Sequence, residues 1–321
     1  MTIITYANAV RDAIREEMRR DERVFVMGED VVAGPFGNTA HLVDEFGIKR
    51  VRNTAIAETT TVDAALGAAL TGMRPVLDMH AYAAFLYVAF NAIVTDVARA
   101  RYMFGRGVPL TILAYGGAYL ASGASHSESV QAKLMNAPGL KVVMPATPYD
   151  AKGLMKTSIR DDDPVIFLGH MTSLTDRGEV PDEEYTIPLG QAVVRIEGKD
   201  VTVVATSTMG KIAMKAAKRL ASKGISVEVI DPRTLVPLDK EAILKSVAKT
   251  GRLVAMDESN KTCGVASEIA AIVCEEAFDC LKAPIRRIAT MDVPFAGAPN
   301  LEAFILPNEN KLIEAIEEIM G

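Results

Sequence analysis

Arg52-Asn53-Thr54-Ala55-Ile56-Ala57-Glu58-Thr59-Thr60-Thr61 runs directly into Val62-Asp63-Ala64-Ala65-Leu66-Gly67-Ala68-Ala69-Leu70, and this stretch decides the fold. The second half spaces small and apolar residues as a helix does, and Thr59, Thr60 and Thr61 offer oxygens suited to capping its start. The first half reads as the end of a strand. Glu58 therefore stands at a strand-to-helix turn, where α/β folds build their ligand sites, within about a turn of a helix N-terminus, where a carboxylate is favoured. Taken alone, the same placement suits a surface carboxylate that merely complements a helix dipole.

The alternation of strands and helices extends in both directions. Ala9, Val10, Ile14 and Met18 mark an amphipathic first helix. Val24-Phe25-Val26-Met27 is a short buried strand ending on Gly28-Glu29-Asp30, which puts acidic residues on the carboxyl edge of an open sheet. Segments 75–79, 109–114, 141–144 and 165–168 read as further strands, with helices around 62–70, 85–102 and 150–159. Such alternation predicts a parallel sheet. From 175 to 189 the pattern gives way to Asp176-Arg177-Gly178-Glu179-Val180-Pro181-Asp182-Glu183-Glu184-Tyr185, polar and bearing Gly and Pro as an exposed linker does. A second α/β unit follows, with strands at 201–205, 227–231, 253–257 and 285–288 and helices at 211–223, 240–247, 266–278 and 311–319. The expectation is two doubly wound α/β domains, each with a mainly parallel sheet: residues 1–180, a linker over 181–195, and residues 196–321.

At 321 residues and 49% hydrophobic content the chain has material for two cores. Its formal net charge of -6 argues against a nucleic-acid-binding surface. Cys263, Cys274 and Cys280 lack C-x-x-C spacing and are too few for a disulfide framework, so reduced thiols in a cytoplasmic setting are expected. Cys274, among Ile269, Ile272 and Val273, reads as core. Arg11, Arg15, Glu16, Glu17, Arg19 and Arg20 leave no room for the apolar stretch of a signal peptide. The apolar run from 81 to 90, continuing past Asn91 to Val94, falls short of the roughly 20 residues of a membrane span. A helix apolar on all sides is buried in a core or beneath another subunit, and the second is expected here.

Several short motifs then share one order. They are Met27-Gly28-Glu29-Asp30, Ile56-Ala57-Glu58, Gly72-Met73-Arg74-Pro75-Val76, His126-Ser127, and Pro138-Gly139-Leu140-Lys141-Val142-Val143 followed by Thr147-Pro148-Tyr149-Asp150-Ala151-Lys152-Gly153-Leu154. Arg160-Asp161-Asp162-Asp163-Pro164-Val165-Ile166-Phe167, Val229-Ile230-Asp231-Pro232-Arg233-Thr234-Leu235 and Asp292-Val293-Pro294 complete the series. In this order and spacing the chain resembles, over nearly its whole length, the beta subunit of the thiamine-diphosphate-dependent 2-oxo acid dehydrogenases, of the transketolase-like superfamily.

The resemblance implies a pyrimidine-type domain followed by a transketolase C-terminal-type domain. It implies that Glu58 bonds the pyrimidine ring nitrogen of thiamine diphosphate, where a carboxyl group assists removal of the neighbouring thiazolium proton by the cofactor's own amine. Glu29 is carried over as a second cofactor-side carboxylate and Ile56 as a contact. His80 with Tyr82 or Phe85 is carried over as the pocket wall, or the two rings are plain core packing. One extra residue between Arg74 and Phe90 leaves the stacking ring open.

His126, in Ser122-Gly123-Ala124-Ser125-His126-Ser127-Glu128, matches a catalytic histidine that assists acyl transfer to a lipoyl arm. Relatives carry Gln where Ser125 and Glu128 stand, and Gly-Ile-Val-Gly where Thr60-Thr61-Val62-Asp63 stands. The Gly-Asp-Gly followed about 25 to 30 residues later by Asn, which supplies hard oxygen ligands to Mg²⁺, is absent from the sequence. The metal and diphosphate are therefore expected on an alpha subunit.

Val108, Leu110, Thr111, Ser158, Asp161 and Asp163 match positions whose oxygens hold a monovalent cation, K⁺, in relatives. Asp161-Asp162-Asp163 is equally a solvated turn before Pro164. The implied assembly is an α2β2 heterotetramer feeding a lipoyl acyltransferase core, oxidatively decarboxylating pyruvate or a branched-chain 2-oxo acid. Arg101-Tyr102-Met103-Phe104-Gly105 and Asp257-Glu258-Ser259-Asn260 with Cys263 resemble acetoin dehydrogenase beta subunits, which makes acetoin cleavage the alternative. A self-sufficient transketolase-like transferase and a non-enzymatic binding module are the rivals.

Overall fold

In a computed structural model describing residues 1–80 and 82–321, the chain forms two compact units. The first comprises Met1–Gly117 and Lys133–Leu189, the second Ala118–Ala132 and Gly190–Gly321.

The first unit contains β1 (Thr2–Thr5), β2 (Val24–Gly28), β3 (Val51–Asn53), β4 (Arg74–Asp78), β5 (Thr111–Gly116), β6 (Lys141–Val143), β7 (Val165–His170) and β8 (Arg177–Val180). Its main sheet has the order β6-β7-β5-β4-β2-β3, with every pairing parallel. β2, β5 and β7 are buried end to end, which is why they are near-continuous apolar runs in the sequence. From β2 the chain leads to β3 on one side, and from β4 to β5 on the other. The topological switch point therefore lies between the carboxyl ends of β2 and β4.

Two helices of this unit, Tyr6–Arg20 and Pro148–Arg160, pack against each other. Each begins on a threonine whose hydroxyl accepts from a backbone N–H of its first turn: Thr5 from Asn8 at 3.2 Å and Thr147 from Asp150 at 3.2 Å. Between them runs a set of buried charges. Lys152 and Lys156 donate to Glu16 at 2.7 and 2.9 Å, and Arg160 holds both oxygens of Glu17 at 2.6 and 2.9 Å. Burial pushes the Glu16 carboxyl up, but the two lysine hydrogen bonds outweigh it and leave it below its ordinary value.

Several expectations are corrected. Residues 175–189 are not simply an exposed linker: Arg177–Val180 pairs antiparallel with β1, and Val180 and Ile187 are buried. The helix expected over 85–102 is instead a 3₁₀ segment, Ala83–Tyr87, a π segment, Ala92–Val97, and an α-helix, Ala98–Phe104. With apolar residues at nearly every position, no single stripe enforces a 3.6-residue register. Ala81, at the start of that run, lies outside the described residues. The helix after Ala57 begins at Glu58 itself, so the threonines do not cap it. Thr61 donates to Ala57 O and Thr59 to Val88 O.

The second unit adds β9 (Val193–Ile196), β10 (Val201–Ala205), β11 (Val227–Asp231), β12 (Thr234–Val236), β13 (Leu253–Asn260) and β14 (Arg286–Thr290). Its sheet has the order β14-β13-β10-β11-β9, parallel except for β9. Helices Thr208–Ala221 and Glu309–Met320 share one apolar cluster with it, including Met209, Ala213, Leu220, Leu312 and Ile316. Cys274 is exposed, not core. Helix Val265–Glu276 buries Val265, Ala266, Ile269 and Val273, and the next position is rotated by about 100° away from that face. Among the described residues no helix is long and apolar enough to cross a membrane.

The Glu17 carboxylate, 1% exposed, is the keystone of the charge set between the two helices. Arg160 is part-exposed and also pairs with Glu184, so losing Glu17 removes the two bonds to it without stranding the guanidinium. Glu17→Ala should lower the stability of the first unit by about 2 kcal/mol, whereas Glu17→Met with Arg160→Met should recover much of that loss. Urea midpoints of the three proteins decide it, and an unmoved midpoint in Glu17→Ala would mean that the bridge is solvated.

Candidate active site

At the switch point of the first unit, β2 and β4 come so close at their carboxyl ends that a side chain on Gly28 is excluded. A Cβ there would lie 2.0 Å from the Asp78 carbonyl oxygen, and Gly28 has φ +150°. Just beyond, Glu29 follows β2 and His80 follows β4. The Asp78 carboxylate joins the two loops: one oxygen accepts from Asn38 Nδ2 at 2.6 Å, the other from the backbone N–H of His80 at 3.0 Å. His80 has φ +60°, an uncommon conformation for a non-glycine residue. Its ring packs edge-on against Phe36 with centroids 5.0 Å apart, and its Nδ1 lies 3.4 Å from Glu29 O.

Three carboxyl groups converge on this edge. Asp78 is buried, and burial pushes it up to about 7 despite the bonds from Asn38 and His80. Glu29 is raised as well, first by burial and then by the charge of Glu58. Glu58, half-buried, opens the first turn of the helix Glu58–Leu70. For Asp78 and Glu29 burial is the larger cause, with a neighbouring carboxylate adding to it. Of the two raised groups, Asp78 is the one whose neutral form persists toward neutral pH.

The structure thus brings together Glu29, Glu58 and His80. Ile56, two residues before Glu58, is 80% exposed, and Tyr82 and Phe85 are half-buried with their rings edge to face at 5.9 Å. His126 belongs to the second unit. It sits in a turn where its N–H and that of Ser127 both point to Gly123 O, at 3.2 and 3.0 Å, and its Nδ1 is 2.8 Å from Ser125 Oγ.

The six positions considered for a monovalent cation gather where the approach to β5 meets the turn after Pro148–Arg160. Val108 N–H donates to Asp162 O at 2.8 Å, Leu110 N–H to Val108 O at 2.7 Å, and Asp161 N–H to Ser158 O at 3.3 Å. Thr111 opens β5 and is buried. Both Asp161 oxygens lie 2.7 Å from Lys141 Nζ, and Asp163 pairs with Arg101 and Lys141.

Asp78 and Asn38 escaped the sequence reading. The signal for Asp78 was present, because Arg74-Pro75-Val76-Leu77-Asp78 ends on an acid at the same carboxyl edge where Glu29 follows β2. For Asn38 nothing local pointed to a partner 40 residues away.

Comparison with known proteins places this geometry in a family. Residues 3–175 match the model described as "Transketolase, pyrimidine binding domain", and residues 190–312 the one described as "Transketolase, C-terminal domain". The chain is 42% identical to the 2-oxoisovalerate dehydrogenase subunit beta of Bacillus subtilis (strain 168) over 99% of both chains. It is 41% identical to the acetoin:2,6-dichlorophenolindophenol oxidoreductase subunit beta of the same organism, over 99% of this chain and 98% of that one. With the pyruvate dehydrogenase E1 component subunit beta of Rickettsia felis it shares 43% identity over 98% of both. A solved structure titled "Split gene transketolase, inactive beta4 tetramer" has the same fold, with a TM-score of 0.83 over 99% of this chain and 98% of that one at 24% identity. The glutamate-bearing switch point, the paired domain models and the full-length relatives agree: the chain belongs to the transketolase-like family of 2-oxo acid and acetoin dehydrogenase beta subunits.

Proposed function

We propose that this chain is the beta subunit of a thiamine-diphosphate-dependent 2-oxo acid dehydrogenase component. It works with an alpha subunit in an α2β2 assembly, in the cytoplasm, and passes acyl groups to the lipoyl arm of an acyltransferase core. The observation that carries this reading is Glu58 on the first turn of Glu58–Leu70, electrostatically coupled to Glu29 at the sheet's switch point. The donor set fits the pyrimidine half of the cofactor: one carboxyl at a helix start, the apolar Ile56 beside it, and the rings of Tyr82 and Phe85. Bound thiamine diphosphate would supply a carbon nucleophile for the oxo group. Glu58 would hold the pyrimidine ring nitrogen, Glu29 and His80 would line the edge, and His126 would donate a hydrogen bond during acyl transfer.

The Mg²⁺ and diphosphate ligands are assigned to the alpha subunit. Exposed apolar residues of the first unit support a partner face there: Ile56, Val88, Tyr102, Met103 and Phe104. A monovalent cation at Val108, Leu110, Thr111, Ser158, Asp161 and Asp163 would rest chiefly on backbone carbonyls, since Lys141 and Arg101 already engage the carboxylates. Acetoin is the second substrate reading, supported by the 41% identical acetoin-oxidising relative.

Turnover of the co-purified alpha and beta chains with pyruvate, branched-chain 2-oxo acids and acetoin tests the proposal and separates the substrates. No turnover of any of them would overturn it. In the same preparation Glu58→Gln keeps the side chain's size but not its ionisable proton, and should lower decarboxylation by about 10² or more with assembly intact. Near-normal turnover would return Glu58 to a helix-end charge.

Asp78 gives a pH test of the same edge. Its folded pKa lies above its unfolded value of 3.8. Its contribution to stability is therefore fully present below about 4 and is lost as pH rises through about 7. Asp78→Asn removes that titration, so urea midpoints measured from pH 4 to 8 should show the variant gaining on wild type by a few kcal/mol across the range. Parallel curves would mean that Asp78 is ionised throughout.

A further inference from the structure

The second unit has a switch point of its own. From β10 the chain leads to β11, and from β13 to β14 on the opposite side, so the crevice lies between the carboxyl ends of β10 and β13. The last register pair of these two strands is Ala205 with Met256. Immediately beyond it stand Thr206, Asp257 and Glu258, all buried. In an open α/β sheet this is where a ligand is held.

Here the chain's own segment Ala118–Ala132 binds to those groups. Glu258 Oε1 accepts from the Ala118 N–H at 2.6 Å and from Ser129 Oγ at 2.9 Å. Both Asp257 oxygens accept from Gln131 Nε2, at 3.2 and 3.1 Å. The Asp257 carboxyl is further bonded by the Thr206 and Ser259 hydroxyls and by the Ser259 N–H at 2.8 Å. Tyr119 OH donates to Pro307 O at 2.8 Å, and the Ala121 N–H to Glu302 Oε2 at 3.0 Å. Ala118 packs with Phe295, Ile305 and Leu306. The segment is thus gripped from 118 to 121 and again from 129 to 131, and His126 lies between the two grips.

We infer that Asp257 and Glu258 are positioning residues that dock Ala118–Ala132 into the ligand crevice of the second unit's sheet and thereby set the place of His126. The segment is this sheet's resident ligand. The inference rests on the reading of His126 as catalytic, and it makes the carboxylates matter to the step that His126 serves. They touch backbone and side-chain donors of the segment and need not meet substrate. Glu258 is the more testable of the two, because Asp257 also ties β10 to β13 and its removal threatens the fold.

The experiment uses the reconstituted assembly and reads three quantities. Hydrogen exchange reports on the amides of 118–132. Decarboxylation is followed with an artificial electron acceptor, and reductive acylation with a free lipoyl domain. Glu258→Ala should speed exchange across 118–132 and lower reductive acylation by about tenfold more than decarboxylation. Glu258→Gln, which keeps an accepting oxygen, should recover most of the loss. Ser129→Ala, a milder cut of the same grip, should fall between. In the double variant Glu258→Ala with His126→Ala, the loss should be no greater than in His126→Ala alone, as for groups acting through one another.

Unchanged exchange in 118–132, equal losses in the two assays, or additive losses in the double variant would each overturn the inference. Should His126→Ala be silent in both assays while exchange still quickens in Glu258→Ala, the docking stands and the catalytic reading of His126 falls.

Discussion

The first unit depends on how closely β2 and β4 approach at Gly28 and Asp78. The approach is possible only without a side chain on Gly28, and it buries the Asp78 carboxyl. From there Asp78 holds the loop carrying Asn38 and the backbone of His80. Glu29 lies one residue beyond the same contact. Strand geometry, burial and protonation are one constraint here: were the strands further apart, water would enter and the carboxyls would ionise independently.

The second unit solves an equivalent problem with a different occupant. Its sheet also ends on buried acids, but they are met by neutral donors of a chain segment. Burial still raises the Asp257 carboxyl, and three hydroxyl and amide side chains share the task of satisfying it. A buried carboxyl without such donors would cost the fold several kcal/mol. The same edge of the same kind of sheet thus carries a carboxyl cluster in one unit and is closed by the polypeptide in the other.

Much of this was legible in the sequence because it was local. β2 and β7 were visible as unbroken apolar runs, the helix Tyr6–Arg20 through Ala9, Val10, Ile14 and Met18, and Glu29 and Glu58 through their places at strand and helix ends. β9 was missed because four partly exposed residues carry little pattern. The Thr59 to Thr61 cluster misled as a capping signal because the helix starts one residue earlier, and Cys274 misled because its apolar neighbours lie on a face it does not share. The docking of Ala118–Ala132 had no local signature. Polar contacts between residues 126 and 140 positions apart leave no trace in periodicity.

That docking has a consequence for how the molecule can be divided. Gln131 and Asp257 are 126 residues apart, so the segment that closes the second sheet leaves the ribosome well before the strand that receives it. Folding of the second unit is therefore tied to an early piece of chain inserted between β5 and β6, and it has the high contact order that slows folding. A fragment cut after Leu189 would contain every strand of that sheet and still lack its closure, leaving Asp257 and Glu258 to face whatever water or foreign donor could enter. The second unit is compact but not continuous in sequence, so a working second unit cannot be excised as one stretch.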